Sequence, residues 1–346
     1  MSNITAIDSN FKVETNIDKP DIRFYDVLEQ PFGIYGVFYQ DGKFRRLPES
    51  VAETVSDKVL RLHTHTAGGR VRFRTNSTYV AISAKMPTAC KMPHFALTGT
   101  AGFDLYDGQR CVKTFVPPFG IKDGYENVVE LGESRMRDIT INFPLYSEIS
   151  TLYIGLSNKA TVESPKPYTH ETPIVYYGSS ITQGGCASRP GMGYESIISR
   201  RLDTDYINLG FSGAALAELE IAQYIKNLKM SVFVYDYDHN SPTVEHFRQT
   251  HEQMFRTIRD ANPDLPIVCM SRPQYYVTPT VQQRIDVIRA TVENSRARGD
   301  DKVWMLTGQE LMALTDGEGL VDGCHPTDLG FFSMAKALGD LLETIL

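Results

Sequence analysis

The chain has 346 residues, of which 42% are apolar and 22% charged, and it carries a formal net charge of -7 at pH 7. This length points to two domains, and the acidic balance argues against a nucleic-acid partner, which would need a basic face. No run is apolar enough to cross a bilayer, and Met1-Ser2-Asn3-Ile4-Thr5 lacks the basic and apolar regions of a signal peptide. The expectation is therefore a cytoplasmic protein with no membrane partner. The triplets Asn3-Ile4-Thr5 and Asn76-Ser77-Thr78 match the glycosylation pattern, which means nothing without secretion.

From about residue 31 to 156 the signal is β. Phe32 to Tyr39 alternates and ends at Asp41-Gly42, a hairpin-type turn. Gly68-Gly69 separates a run Val59 to His65, read as a strand, from Arg70-Val71-Arg72-Phe73-Arg74. In the second run Val71 and Phe73 face one way, and Arg70, Arg72 and Arg74 are expected on a solvated face. Tyr79–Ser83, Phe103–Tyr106, Cys111–Val116, Ile139–Phe143 and Leu152–Leu156 add short strands, which together read as a β-sandwich or jelly roll. Residues 158–172 are polar, hold Pro165 and Pro167, and have no periodicity, so they read as a linker.

Beyond it strands and helices alternate. Strands are expected at Ile174–Tyr177, Tyr206–Leu209, Val232–Tyr237, Ile267–Met270 and Val303–Leu306. Helices are expected near Tyr194–Leu202, Leu216–Leu228, Val244–Ala261, Val281–Arg298 and Leu329–Ile345. In the third helix Val244, Phe247, His251, Met254, Phe255 and Ile258 share one face. Five such units imply a parallel three-layer α/β domain with its site at the strand C-termini. The expected division is 1–160, a linker at 161–172, and 173–346.

Each of these strands runs out into small or polar residues: Gly178-Ser179-Ser180, Gly210-Phe211-Ser212-Gly213 and Asp236-Tyr237-Asp238-His239-Asn240, with Asp322-Gly323-Cys324-His325-Pro326 in the last loop. A serine hydroxyl becomes a nucleophile only when a base takes its proton, and histidine does so near neutral pH. Ser180 with His325, and Asp322 three residues before it to orient the imidazole, would make such a set. The N–H groups of Ser180 and Gly213 and the Asn240 amide are the candidate oxyanion donors. Ser180 could instead be a turn residue; Asp328 is the expected cap of the last helix, leaving His325 free.

The remaining candidates divide more evenly. Cys90, Cys111, Cys186, Cys269 and Cys324 form no C-x-x-C pair, which argues against a disulfide scaffold or structural zinc. Cys269 reads as core, whereas Cys186 and Cys324 each fall beside a candidate catalytic residue. His63 and His65 could share a metal, although no carboxylate or cysteine accompanies them and a structural role is favoured. Tyr275 and Tyr276 are either an aromatic platform for a sugar or loop packing, and Arg189 either contacts substrate or braces its own loop.

At this point the sequence resembles the GDSL/SGNH hydrolases, whose signature Ser, Gly, Asn and His occur in that order, the last in D-x-x-H. Gly178-Ser179-Ser180-Ile181-Thr182 matches the first block, Ser212-Gly213 the second, Asn240 the third and Asp322-x-x-His325 the last. The block-one aspartate is replaced by Ser179, assigned a loop-shaping role, and the usual G-x-N-D reads Asp236-Tyr237-Asp238-His239-Asn240. Gly102-Phe103-Asp104-Leu105-Tyr106 is similar to the G-x-D-L-Y element of the β-sandwich preceding one branch, in which Cys186-Ala187-Ser188-Arg189-Pro190-Gly191 is the usual continuation of block one. The resemblance implies a flavodoxin-like domain with a five-stranded parallel sheet, and a carbohydrate O-acetyl esterase that needs no metal and no organic cofactor. Its expected partner is an acetylated oligosaccharide or metabolite. The rival readings are a short-chain esterase or thioesterase, a long-chain lipase, and an idle carbohydrate-binding relative.

Overall fold

The computed structural model describes residues 16–346; the polar opening of the chain and Asn3-Ile4-Thr5 lie outside them. The N-terminal half contains β1 (Ile22–Asp26), β2 (Gly33–Tyr35), β3 (Phe38–Gln40), β4 (Lys43–Arg45), β5 (Arg70–Thr75) and β6 (Tyr79–Lys85). It continues with β7 (Phe103–Asp107), β8 (Arg110–Phe115), β9 (Gly124–Glu130), β10 (Arg137–Asn142), β11 (Thr151–Ser157) and β12 (Val162–Glu163). One antiparallel sheet has the order β1-β11-β6-β9 and another β12-β5-β10-β7-β8, with β2 also on β5. Val71, Phe73, Ile139 and Ile141 of one sheet share a core with Val80, Ile82, Ile154 and Leu156 of the other, the packing of a sandwich. The β3–β4 hairpin turns at Asp41-Gly42, both at positive φ, as the type I′ geometry requires.

Two expectations for this half are corrected. Residues 59–65 are not a strand. The helices α1 (Glu49–Val55) and α2 (Asp57–Leu62) occupy this region, and a short α3 (Leu97–Thr100) follows β6. The Ser56 hydroxyl caps α2 by accepting from the Val59 N–H. Ala52, Val59 and Leu62 then face the core of the C-terminal half, so the apolar residues of this run serve a helix stripe instead of alternating sides. Arg70 is also not solvated. It is 1% exposed, bound to Asp205, to the Tyr168 hydroxyl at 2.8 Å and to the Gly68 carbonyl at 2.7 Å, and its guanidinium lies 4.1 Å above the Tyr206 ring. The 161–172 stretch is held at both ends, with β12 paired to β5 and its last residues already in the next strand.

The C-terminal half contains β13 (His170–Gly178), α4 (Tyr194–Leu202), β14 (Thr204–Gly210), α5 (Leu219–Ile225), β15 (Val232–Asp236) and α6 (Val244–Ala261). It ends with β16 (Ile267–Met270), α7 (Pro279–Ala297), β17 (Val303–Leu306), α8 (Gly308–Leu311) and α9 (Asp328–Ile345). The strands form a parallel sheet of order β14-β13-β15-β16-β17. Side chains alternate between two cores: Val175, Tyr177, Phe233 and Tyr235 pack with α5, α6 and α7, while Ile174, Tyr176, Val232 and Val234 pack with α4 and α9. All six apolar-face residues expected in α6 are buried. The strand order reverses between β13 and β15, the place where such sheets open a crevice at their C-terminal edge. Among the described residues no helix is long and apolar enough to cross a membrane.

The two arginine environments on β5 make a test. Arg70→Ala strands Asp205 and the Tyr168 hydroxyl at a buried junction and should cost about 3 kcal/mol in urea unfolding. Arg74→Ala, whose ion pairs with Asp138 and Glu163 are partly exposed, should cost about 1 kcal/mol or less. Equal small losses would return Arg70 to a solvated face.

Candidate active site

Ser180 sits two residues beyond β13, on a loop with no room for side chains behind it. A Cβ on Gly178 would come within 2.0 Å of the Asp236 carbonyl and 2.1 Å of the Thr182 hydroxyl. The Ser179 hydroxyl accepts from the Ile181 N–H at 3.1 Å, and the Ser179 N–H donates to the Asp236 carbonyl at 3.1 Å. These bonds turn the chain so that Ser180 Oγ lies 2.8 Å from His325 Nε2. His325 Nδ1 lies 2.7 Å from Asp322 Oδ2. A carboxylate can only accept, so Nδ1 carries the proton and Nε2 is the acceptor for the Ser180 hydroxyl.

The Asp322 carboxyl opposes burial, which by itself would raise it. The backbone N–H groups of His325 and Cys324, at 2.8 and 3.0 Å, and the imidazole bring it down to about 2. It is therefore an anion throughout the physiological range and a permanent acceptor for Nδ1–H. The expected cap at Asp328 is corrected: Thr327 occupies that position, and Asp328 instead accepts from the Ser188 N–H at 2.8 Å and from its hydroxyl. His325 is still free of the helix end.

Gly213 lies at φ 63, and Asn240 closes a single turn (238–240) after β15. The Asn240 Nδ2 donates to the Phe211 carbonyl at 3.0 Å, tying the third block to the second. Among the described residues no acceptor takes the N–H of Ser180 or of Gly213. Gln183 joins the blocks from below: its Oε1 accepts from the Ser212 N–H at 3.0 Å, and its Nε2 donates to the Leu145 carbonyl at 3.2 Å. Tyr146 of the N-terminal half donates its hydroxyl to the Ser180 carbonyl at 3.3 Å.

The other sequence candidates are placed as follows. Arg189 donates from Nη1 to Asp104 at 2.9 Å and to the Tyr106 hydroxyl, and the Gly191 N–H donates to Asp104 at 2.7 Å. Tyr276 is 73% exposed on the loop after β16, with its ring edge-on to Tyr275 at 5.4 Å. His63 is occupied by the Leu60 carbonyl and Arg45, and His65 by Gln183, so neither imidazole is a spare ligand. Burial pushes the Cys186 thiol up to about 11 and that of Cys324 to about 12, leaving both as thiols near neutral pH. The Cys324 Sγ lies against His239 Nε2, and the five cysteines are free.

Sequence reasoning missed the buried supports. Asp238 receives the Arg272 N–H and Nε at 3.0 and 3.2 Å, together with Arg284 Nη1. Burial would raise its carboxyl, but the two guanidinium groups hold it below the ordinary range. Two residues earlier, Asp236 has one oxygen bound to the Thr182 hydroxyl at 3.2 Å and the other unpaired. Burial first, and then the Asp238 charge, push it up to about 7. The only sequence signal for these pairs was that Asp238 and Arg272 both follow strands ending at the same edge. His94 also arrives unannounced, with its ring centre 5.8 Å from that of His325.

Asp236 carries a pH signature. Its folded value lies above the unfolded value of 3.8, so the folded state binds the extra proton and stability falls as pH rises from about 4 to about 7. The full change is on the order of 4 kcal/mol. Asp236→Asn should flatten that decline in urea midpoints measured across pH; an unchanged slope would assign it to another group.

The GDSL-like lipase/acylhydrolase family matches residues 171–343, and the GxDLY domain, the N-terminus of SGNH-hydrolase-type esterases, matches residues 22–162. No functionally curated protein matches the chain in sequence. Among solved structures, a GDSL-like lipase of Bacteroides ovatus is 27% identical, over 94% of this chain and 98% of that one, with a TM-score of 0.84. A salicylyl-acyltransferase from a tetracycline biosynthetic pathway is 19% identical over 95% of this chain and 99% of its own, with a TM-score of 0.77. A family two carbohydrate esterase from Clostridium thermocellum, in complex with cellohexaose, is 15% identical over 90% of this chain and 98% of its own, with a TM-score of 0.64. The last two likenesses speak to fold alone. With one family spanning half the chain and its usual preceding domain spanning most of the rest, the chain belongs to the GDSL-like lipase/acylhydrolase family.

Proposed function

We propose that this esterase removes acetyl groups from carbohydrate, through an acyl-enzyme on Ser180. The observation that carries the reading is the unbroken chain Ser180 Oγ, His325, Asp322, with contacts of 2.8 and 2.7 Å, beside two N–H groups that have no acceptor among the described residues. Ser180 Oγ attacks the ester carbonyl while His325 Nε2 takes its proton. The oxyanion that forms is received by the N–H groups of Ser180 and Gly213 and the remaining N–H of Asn240 Nδ2. Collapse of this intermediate breaks the ester C–O bond, and the imidazolium returns its proton to the departing sugar hydroxyl. Water, deprotonated by the same imidazole, then releases acetate and restores Ser180. Asp322 holds the tautomer throughout and stabilises the transient imidazolium.

A short acyl group is favoured because the residues around the nucleophile are small or hydroxylated: Ser179, Thr182, Gly184, Gly185, Ser212 and Gly213. The carbohydrate part rests on the two-domain fold shared with the cellohexaose-bound esterase, and on the exposed Tyr276 ring, a platform of the kind sugars stack on. Arg189, with its donors turned to Asp104 and Tyr106, is assigned to bracing its loop.

The test is acetate release from acetylated mannan and xylan oligosaccharides and from an aryl acetate. Ser180→Ala and His325→Ala should each lower turnover by about 10⁴-fold or more with unchanged melting, and Asn240→Ala by about 10²–10³-fold. An aryl octanoate should be a poor substrate beside the acetate. Full activity in Ser180→Ala would sink the acyl-enzyme, and acetate release from the aryl ester with none from any glycan would sink the carbohydrate assignment.

A further inference from the structure

His325 has neighbours that the proposed acyl transfer does not use. His94 reaches it from the N-terminal half, on the loop before α3, and is exposed. Cys186 reaches it from the end of the Ser180 loop and is half-buried. One ligand atom from each of His94, Cys186 and His325 lies within 4.8 Å of the others. We propose that these three side chains form an inhibitory zinc site, closed by Zn²⁺ binding to His94, the Cys186 sulfur and His325 Nε2, with water in the fourth position.

Two imidazoles and a thiol are a borderline-soft donor set, the kind zinc takes in tetrahedral sites. Zinc–sulfur and zinc–nitrogen bonds of about 2.3 and 2.0 Å place tetrahedral ligands about 3.5 Å apart. The side chains must therefore draw in by about an ångström, which the exposed His94 on its loop can supply. The Asp322 carboxylate already accepts the other ring N–H of His325, and this carboxylate–histidine pair is the arrangement that orients metal-bound imidazoles. Binding replaces the thiol proton of Cys186 by the metal and releases one proton to solvent; nothing is oxidised. The second such cluster among the described residues, Asp322 with Cys324 and His325, is already committed, since Asp322 holds His325 and Cys324 lies against His239.

The consequence follows from one lone pair. Nε2 of His325 cannot accept the Ser180 proton while it binds zinc, so occupancy and acyl transfer exclude each other. The inhibitory part of the inference rests on the esterase reading above, whereas the site itself does not.

Calorimetric zinc titration and cobalt(II) absorption on the full chain test the two parts separately. Wild-type protein should bind one zinc with release of one proton, and cobalt(II) should give a thiolate charge-transfer band. Cys186→Ser should lose that band, and Cys186→Ser and His94→Ala should each bind zinc about 10- to 100-fold more weakly or worse. Ser180→Ala should bind as the wild type does. Stoichiometric zinc should abolish aryl acetate turnover, a chelator should restore it, and Cys186→Ser should turn over normally and resist zinc. Equal zinc affinity in wild type, Cys186→Ser and His94→Ala, or cobalt binding without a thiolate band, would overturn the site. Binding as expected in a protein with no esterase activity would uphold the site and sink the esterase reading instead.

Discussion

The buried guanidinium of Arg46 is the interaction on which the site depends. It has no carboxylate partner within hydrogen-bonding reach among the described residues, and burial lowers it to about 9, which still leaves it charged at neutral pH. Carbonyl oxygens solvate it instead: those of His65 at 2.6 Å, Leu62 at 2.8 Å, Gly210 at 2.6 Å and Asn208 at 3.2 Å. Two acceptors belong to the N-terminal half and two to the end of β14. Each buried carbonyl left without a donor would cost about 1–3 kcal/mol, so neither half can withdraw without exposing or orphaning the charge. Gly210 is followed by Phe211, whose ring lies 4.9 Å from the guanidinium carbon, and then by Ser212 and Gly213. The second block is thus anchored to a residue of the sandwich half.

The same dependence recurs around Ser180. Tyr146 holds its carbonyl, Leu145 holds Gln183, and Gln183 holds the Ser212 N–H. Asp104 and Tyr106, the polar members of the G-x-D-L-Y element, bind Arg189 and Gly191 of the segment that continues block one. Asp104 has no exposure and also takes Asn142 Nδ2 at 2.8 Å, so its charge is spread over three donors from two halves of the chain. The two sequence motifs that the resemblance noted separately are the two sides of one contact. A role for the first domain in setting the loops around Ser180 follows from these bonds.

This explains what was legible in the sequence. The five parallel strands and the face of α6 could be read because period 2 and period 3.6 are local signals imposed by burial on both sides of a sheet or on one side of a helix. Ser180, Gly213, Asn240 and the Asp322–His325 pair could be singled out as candidates because each lies at a strand end or in a short motif. Arg70 was misplaced because alternation says which residues share a face and not what covers it; here the covering surface is Tyr168 and Tyr206, about 100 residues or more away in sequence. Residues 59–65 were misread because a short β-branched and apolar run does not distinguish a strand from a two-turn helix. Asp238, Arg272, Gln183 and His94 were missed because their partners come from other elements and leave no periodic trace.

The serine that stands in place of the block-one aspartate can now be given a physical reason. Ser179 is fully buried, and its N–H is bound to the carbonyl of Asp236, a residue whose own carboxyl has one oxygen unpaired and is pushed up to about 7. Asp238 supplies a further negative charge nearby, already matched by Arg272 and Arg284. A carboxylate at position 179 would be buried, and a buried carboxylate is costly unless a cation pairs it. The neutral hydroxyl performs the part that matters locally, accepting the Ile181 N–H, without that charge. Ser179 keeps the turn that presents Ser180 to His325.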